Sequence, residues 1–575
     1  MNLDPQRTAG APSGAPDESL LSLRYQTTVD DLFKRAVDFW PEHPFVIDAM
    51  SNRASPAKPS AVILFKRAVD FWPEHPFVID ASGSVSYRDM DSKIEAVASG
   101  LVALGVGPGD KVALWMSNIW EWVAVQFAVT RIGAVLVPIN TRLRADDLAH
   151  VLSDSGARVI ILQGDSSEFS YVSVLSELFA TQGSLPKLEH AVIARSDTAP
   201  KGRFVDWGNF LKGGERVSRP ARDGVPEDLA YILYTSGSTA LPKGVMLSHV
   251  CLNNAINLAG DYVEGDCVFL GYPLFAVTGC QNSVLAAIAV GGSIVIQERF
   301  EPDDAVRLIE KHKCTVIACI TPVLQSIASA KAFAPEKVAT LRTGSIFPRR
   351  PEHTDLLKQF GFEKVTTGYG MTETSGPVTN SSTLDEIGVE GREWCGDQIK
   401  LVADDGGTPE IGQPGAIHVN TPHIMLGYLN NPEATAAQFD EDGWFITGDV
   451  GCRDEKGNLK WLGRTFEIIK SSGFNFAAQE VETFLSEQPE VAEVAVIGVP
   501  DAKNGEVGIA YVTLQSGASF DNADLKRICA GRIASYKIPK EVIVVDQFTK
   551  TASGKIRKVD LNRMYKERTE QSNAK

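Results

Sequence analysis

The chain has 575 residues, of which 44% are hydrophobic and 22% charged, and its formal net charge is −16. This length and balance indicate a globular protein with a large core and at least two domains. The acidic charge disfavours a nucleic-acid partner, and no apolar run reaches the roughly 18 residues of a membrane span. The eight cysteines form no C-x-x-C pair, which argues against a zinc site or disulfide framework and favours a reducing cytoplasm.

The N-terminal region contains an exact repeat. Residues 1–30 are rich in Ala, Gly, Pro and Asp near their start and predict a disordered tail. After this tail, one segment occurs identically at 32–49 and at 64–81. Each copy predicts an amphipathic helix followed by a short strand, and only one copy can occupy one place in the fold. We expect the second copy to be packed, because it runs directly into the turn at Gly83 and needs a shorter connection.

The remainder of the chain divides into two patterns. From residue 110 onward, apolar strands alternate with amphipathic helices, as in strand 111–116, helix 121–132 and strand 135–139. Such strands predict an α/β architecture, with sheets covered by helices on both faces. Beyond residue 463 the pattern changes to a smaller α+β unit. We therefore predict a large N-terminal domain over 31–463 and a small C-terminal domain over 464–575.

The most informative stretch runs from Tyr231 to His249, where an apolar strand leads into small hydroxyl residues, glycine and one lysine. Free backbone N–H groups and hydroxyls can surround an anion there, and the lysine adds positive charge. The spacing of a Walker A loop is absent. The stretch therefore predicts a different phosphate-binding loop. Its residues are Thr235, Ser236, Gly237, Ser238, Thr239 and Lys243.

This loop resembles the signature of the adenylate-forming superfamily, in particular of acyl-CoA synthetases. Four further stretches fit that family in the same chain order, namely 368–374, 443–449, 463–482 and 550–557. The resemblance implies an AMP-forming carboxylate–CoA ligase. Such an enzyme uses ATP and Mg2+ to convert an acid into an acyl-adenylate and then transfers the acyl group to CoA. It also implies that the small C-terminal domain moves against the large one.

The resemblance further implies roles for single residues. Lys555 would bridge the carboxylate and the α-phosphate, Thr372 would touch phosphate, and Glu373 would hold Mg2+ as a hard oxygen ligand. Beyond the phosphate loop, the implied nucleotide-binding residues are Gly344, Ser345, Tyr369 at the adenine, Asp449 and Arg464 at the ribose, and Gly473.

The acid itself is not named by the sequence. Ala276 stands where acyl- and aryl-CoA synthetases often carry His and amino-acid adenylation domains carry Asp. The missing Asp argues against amino acids, and the missing His leaves aliphatic, alicyclic and aromatic acids open. The predicted substrate pocket consists of Phe275, Ala276, Thr278, Gly279 and Gly370.

Two departures from the family pattern keep other functions open. Ala240 stands where the family usually has Gly, and Phe466 stands where relatives commonly place a hinge Asp or Lys. The alternatives are transfer of the acyl group to a carrier-protein thiol and a non-catalytic nucleotide-binding homologue. The sequence also leaves open whether the protein forms a homodimer.

Overall fold

The fold was analysed in a computed structural model. It describes residues 61–165, 169–181, 185, 187–196, 199–215, 227–235, 242–251, 254, 255, 258–347, 353–382, 384, 388–394, 396–403, 406–413, 415–464, 468–472, 474–549, 556 and 558–573. The predicted N-terminal tail and the first copy of the repeat lie outside these residues. No helix within the described ranges is long and apolar enough to cross a membrane.

The described residues contain 28 strands. In chain order they are β1 (Pro76–Asp80), β2 (Gly83–Ser86), β3 (Lys111–Trp115), β4 (Val135–Pro138), β5 (Val159–Gln163), β6 (His190–Ala194), β7 (Phe204–Asp206), β8 (Leu229–Thr235), β9 (Lys243–Ser248), β10 (Cys267–Leu270), β11 (Ser293–Ile296), β12 (Val316–Ile320), β13 (Thr343–Phe347), β14 (Lys364–Thr366), β15 (Gly370–Met371), β16 (Gly376–Pro377), β17 (Thr379–Asn380), β18 (Arg392–Glu393), β19 (Gln398–Val402), β20 (Gly415–Asn420), β21 (Gly427–Tyr428), β22 (Phe445–Arg453), β23 (Leu459–Arg464), β24 (Ile468–Ser471), β25 (Phe474–Ala477), β26 (Val491–Asp501), β27 (Gly505–Leu514) and β28 (Glu541–Val544).

The helices connect these strands. They are α1 (Ala61–Phe71), α2 (Tyr87–Ala103), α3 (Trp120–Arg131), α4 (Ala145–Ser155), α5 (Tyr171–Thr181), α6 (Trp207–Gly214), α7 (Val284–Ala289), α8 (Pro302–His312), α9 (Thr321–Ala328), α10 (Thr354–Gln359), α11 (Pro432–Ala436), α12 (Ala478–Ser486), α13 (Asn522–Cys529) and α14 (Lys558–Asn573).

Two largely parallel sheets build the N-terminal part. One has the strand order β14-β13-β12-β10-β11-β1-β2, and the other has the order β21-β9-β8-β4-β3-β5-β6-β7. Helix α3 is buried along nearly its whole length and contacts β1 of the first sheet and β3 and β4 of the second. Its apolar side chains therefore join both sheets into one core, and the predicted α/β class is confirmed.

The second copy of the repeat is an integral part of this core. It supplies most of α1 and all of β1, and β1 pairs in parallel with β11 and antiparallel with β2. Leu64, Phe65 and Phe77 are buried, and the Phe65 ring lies 4.8 Å from the Phe127 ring of α3. The segment that runs directly into the Gly83 turn is thus packed, as predicted.

Near residue 464 the chain passes from one β-sheet into another. Strand β23 closes a four-stranded sheet, β19-β20-β22-β23, whereas β24 belongs to a five-stranded sheet with β25, β26, β27 and β28. The five-stranded sheet has its own hydrophobic core, which includes Ile469, Phe476 and Val481. The predicted change of architecture beyond residue 463 is therefore visible as a change from one hydrogen-bonded sheet to another.

A buried lysine links the five-stranded sheet to the large part. The Nζ atom of Lys537 donates hydrogen bonds to Glu480 at 2.7 Å and to Asp147 of α4 at 3.2 Å. Burial alone would lower the pKa of Lys537, but the two carboxylates together raise it above its ordinary value. Aromatic contacts extend the interface, because the Arg142 guanidinium lies 4.2 Å above the Phe474 ring. The Lys537 ammonium group therefore lies between a carboxylate of the C-terminal part and a carboxylate of the large part.

The buried imidazole of His249 predicts a pH-dependent stability. His249 follows β9 and is 1% exposed, and burial lowers its pKa to about 4, with Asp228 counteracting part of that effect. The unfolded chain therefore binds this proton near pH 6.5 and the folded chain only near pH 4, so stability is lost as the pH falls through that window. When the pH is lowered from 7 to 5, the free energy of unfolding should fall by about 2 kcal/mol less in His249→Gln than in the wild type. Urea denaturation at the two pH values measures this difference.

A suitable control is His190→Gln, because His190 is only half-buried at the start of β6. It should keep the pH profile of the wild type. Identical profiles for wild type and His249→Gln would contradict this assignment.

Candidate active site

The predicted phosphate loop connects two paired strands. Strands β8 and β9 form an antiparallel hairpin in which Thr235 lies directly opposite Lys243. These two residues close the base of the loop. Ser236, Gly237, Ser238 and Thr239 lie outside the described residues, as does Ala240.

Tyr428 connects the phosphate loop to the predicted metal ligand. The Lys243 Nζ lies 5.1 Å from the centre of the Tyr428 ring, and the Tyr428 hydroxyl donates a hydrogen bond of 3.0 Å to Oε1 of Glu373. Strand β21, which carries Tyr428, pairs with β9, so the tyrosine is fixed beside the hairpin. One buried ring therefore brings together a cation and a carboxylate.

Sequence reasoning missed Tyr428. The preceding Gly427 has a φ of 138°, a backbone conformation that residues other than glycine rarely adopt, but this angle is visible only in the structure. In the sequence the Gly–Tyr pair lies inside the apolar run 424–429, and no local pattern of residue types marks the tyrosine.

A hydrogen-bonded turn presents Glu373. Residues Thr372–Thr374 form a short 3-10 turn, and Thr374 Oγ1 accepts from the Met371 N–H at 3.0 Å. The fully buried amide of Asn254 donates to the carbonyls of Ser375 and Pro377 at 3.2 and 2.9 Å. Asn254 therefore holds the backbone just after the turn, and no feature of its sequence context marked it for this role.

The predicted adenine and ribose residues are adjacent. The Tyr369 hydroxyl donates a hydrogen bond of 2.6 Å to Oδ2 of Asp449, and both side chains are buried. Asp449 on β22 is also the backbone partner of Arg464 on β23. The side chain of Arg464, and all of Gly473 and Lys555, lie outside the described residues. Two residues that were predicted to bind the same nucleoside are thus in direct contact.

A small cavity lies on the other side of the turn. Its volume is about 20 Å³, and it is lined by Thr278 of the predicted substrate pocket and by Gly344 and Ser345, which were predicted to bind the nucleotide. Pro377, which also lines it, pairs with Gly370 across β15 and β16. The cavity therefore shares a wall with the loop that carries Tyr369 and Glu373.

The other predicted pocket residues lie nearby but are not among those lining this cavity. Phe275 stacks on Phe474 of the C-terminal part at 6.3 Å, and Ala276 begins the turn that precedes Gly279. Gly279 packs so closely that a Cβ there would lie 2.2 Å from the Pro273 carbonyl oxygen. Its role in the structure is close packing of the backbone, and the pocket role of Ala276 stays a prediction.

Glu373 fits a metal that arrives together with a nucleotide. Within the described part of the chain no group of three or more His, Cys, Asp or Glu could hold a metal ion by itself. Mg2+ is usually bound by one or two carboxylates together with substrate phosphates and water. The half-buried Glu373 carboxylate, which accepts a hydrogen bond from Tyr428, could provide the protein share of such a site.

The comparisons with known proteins identify the family. The sequence model of the AMP-binding enzyme family matches residues 65–429, more than half of the chain, and that of the AMP-binding enzyme C-terminal domain matches 480–555. The chain belongs to the AMP-binding enzyme family. The predicted adenylate-forming, acyl-CoA synthetase type is thereby confirmed, and the protein is an AMP-forming carboxylate–CoA ligase.

A relative and two solved structures show how far the likeness extends. The indoleacetate–CoA ligase of Aromatoleum aromaticum is 32% identical over 497 residues, which cover 84% of this chain and 94% of the relative. A double mutant of o-succinylbenzoate CoA synthetase from Bacillus subtilis, bound to a product analogue, is 26% identical with a TM-score of 0.74 and covers 86% and 97% of the two chains. The same enzyme in complex with AMP is 26% identical with a TM-score of 0.60, over 86% and 96%.

Removing the Tyr428 hydroxyl should weaken acid activation. Tyr428→Phe keeps the ring beside Lys243 but deletes the hydrogen bond that orients Glu373. We expect kcat/KM for ATP in ATP–pyrophosphate exchange to fall about 10-fold, the effect of losing one hydrogen bond to a charged group. Tyr171→Phe is the control, because Tyr171 is a buried tyrosine whose hydroxyl contacts Ser117 elsewhere in the large part. Equal losses in both variants would show that Tyr428 has no special role.

Proposed function

We propose that this ligase performs its two half-reactions with the residues assembled around Tyr428. In the first, a carboxylate oxygen of the acid attacks the α-phosphorus of ATP and the bond to pyrophosphate breaks. In the second, the CoA sulfur attacks the acyl carbon, the bond to AMP breaks and the thiol proton is released. The observation that carries the proposal is the contact of Tyr428 with both Lys243 and Glu373, since phosphoryl chemistry depends mainly on positioned charge.

The roles within the nucleotide site follow from these contacts. Lys243 and Thr235 close the loop that would receive the β- and γ-phosphates, and Thr372 would contact phosphate from the neighbouring turn. Tyr369 and Asp449 would receive the adenosine, because their side chains touch each other within one buried cluster. Glu373 would hold Mg2+ together with the phosphates, and the ion would neutralise the charge of the leaving pyrophosphate.

The arrangement of the two parts supports assignment to the second half-reaction. The chain superimposes better on the o-succinylbenzoate CoA synthetase with its product analogue than on the same enzyme with AMP, with TM-scores of 0.74 and 0.60. We therefore propose that the contact of Lys537 with Asp147 belongs to the state in which CoA attacks. A boundary near residue 464, where the sheet changes, would then be the point of rotation.

The relatives do not identify the acid substrate, which depends on the residues of the substrate pocket. The two named relatives act on ring-bearing acids, indoleacetate and o-succinylbenzoate, which differ in skeleton. A cytoplasmic location and a homodimer belong to the proposal as predictions, which cell fractionation and light scattering of the purified protein would check.

The test is ATP–pyrophosphate exchange with a panel of aliphatic, alicyclic and aromatic acids, repeated as CoA consumption. The proposal expects acid-dependent exchange together with formation of AMP and a thioester. Exchange without CoA consumption would indicate a carrier-protein acceptor, and the absence of both would indicate a non-catalytic homologue.

Lys555 should serve the first half-reaction alone. Its ammonium group would stabilise charge that develops between the carboxylate and the α-phosphate, and the second step has no such transition state. Lys555→Ala should reduce ATP–pyrophosphate exchange at least about 100-fold and leave thioester formation from a pre-formed acyl-adenylate nearly unchanged. Equal losses in the two assays would contradict this role.

Replacing Asp147 should impair the second half-reaction and leave the first unchanged. Asp147→Asn removes the carboxylate that binds Lys537 across the interface, while the Lys537–Glu480 pair within the C-terminal part remains. Thioester formation from acyl-adenylate should fall about 10-fold, and pyrophosphate exchange should be unchanged. Asp146→Asn is the matched control, since Asp146 is 57% exposed and lies 3.7 Å from Arg532 at the rim. A loss of exchange in Asp147→Asn would show that the contact is not specific to the second state.

A further inference from the structure

The cavity beside the catalytic turn contains buried polar groups that have no partner in the protein. Asn282 is 4% exposed and Thr343 is 1% exposed, and both line the cavity. Neither Oδ1 nor Nδ2 of Asn282 has a hydrogen-bond partner, and Oγ1 of Thr343 has none either. Buried polar atoms in folded proteins are nearly always paired, so this cluster requires an explanation.

Other polar side chains at the same cavity are paired within the protein. Ser283 Oγ donates to the Thr278 carbonyl at 2.7 Å, and the Tyr272 hydroxyl donates to the Ser345 carbonyl at 3.3 Å. The Thr366 hydroxyl donates to Asp261. Asn282 and Thr343 therefore differ from these neighbours, because their side chains line the cavity and keep unused hydrogen-bond donors and acceptors.

The position of Asn282 connects the cavity to the chemistry. Its amide packs against the backbone of the catalytic turn, since a Cβ placed on Gly376 would lie 2.2 Å from its Nδ2. Gly376 follows Glu373 by three residues, and Pro377 next to it lines the cavity. A substrate whose carboxylate meets the α-phosphate beside the catalytic turn would thus reach this cavity with a more distant part of its skeleton.

The size and polarity of the cavity select the kind of group that fits. Its volume of about 20 Å³ is enough for one group of the size of a water molecule. A hydroxyl or keto oxygen there could pair with Asn282 and Thr343, whereas a methyl group of the same size would leave their polar atoms buried and unpaired. A site built to bind an oxygen in this way rejects an analogue that lacks it.

We propose that the acid substrate carries a hydroxyl or keto oxygen away from its carboxylate, and that Asn282 and Thr343 bind that oxygen. This inference rests on the proposed function of the site. It makes these two residues determinants of specificity for oxygenated acids over hydrocarbon acids.

The test compares acids matched in size. The pairs are 6-hydroxyhexanoate with heptanoate, 3-hydroxyphenylacetate with 3-methylphenylacetate, and 4-hydroxyphenylacetate with 4-methylphenylacetate, each measured by ATP–pyrophosphate exchange. In at least one pair the wild type should show a kcat/KM about 10-fold or more higher for the hydroxy acid. Asn282→Leu, which keeps the volume and removes the amide, should lower that ratio by about 10-fold and leave KM for ATP unchanged.

Ser283→Ala is the matched control, because the Ser283 hydroxyl is already paired within the protein and its loss should leave the ratio unchanged. Thr343→Val provides a second variant of the same design in case Asn282→Leu does not fold, and it should also lower the ratio.

The outcomes separate the two proposals. A preference for the methyl acid in every pair, or an unchanged ratio in the folded variants, would overturn the inference while the exchange itself upheld the ligase. Absence of exchange with every acid, substituted or not, would overturn the proposed function and the inference with it.

Discussion

The site depends on the contact of one buried tyrosine with two charged residues. Tyr428 holds the Lys243 ammonium over its ring and the Glu373 carboxylate at its hydroxyl, so opposite charges are kept close without forming a direct ion pair. A direct pair would satisfy both groups and would have to be broken for a nucleotide to bind. The tyrosine thereby keeps a lysine and a carboxylate available for the phosphate and metal that we propose they bind.

Backbone pairing makes that contact possible. Strand β21 pairs with β9, β9 pairs with β8, and the phosphate loop leaves this hairpin between Thr235 and Lys243. On the other side, the Asn254 amide holds two carbonyls just after the catalytic turn. The groups around the nucleotide site are therefore positioned by hydrogen bonds of the scaffold, which reduces the reorganisation needed when substrates bind.

The two parts of the chain meet through groups whose charges are compensated. Lys537 is surrounded by carboxylates from both sides, and the Arg142 guanidinium covers the Phe474 ring. Such an interface is polar enough to separate, because each charged group can be solvated again when the contact opens. An interface of this kind is compatible with the rotation of the small part that we propose between the two half-reactions.

The sequence by itself determined the family and the α/β class, and it predicted the individual signature residues, because each signature is a contiguous run whose chemistry is local. It also predicted a helix over 121–132, which the structure has as α3 over Trp120–Arg131, with Glu121 in its first turn and Arg131 in its last. Only the tertiary structure revealed Tyr428 and Asn282. Tyr428 lies 55 residues from Glu373, and Asn282 meets Gly376 from a distant segment. Such contacts arise from strand pairing and packing between segments far apart in the chain, which no local pattern of residue types records.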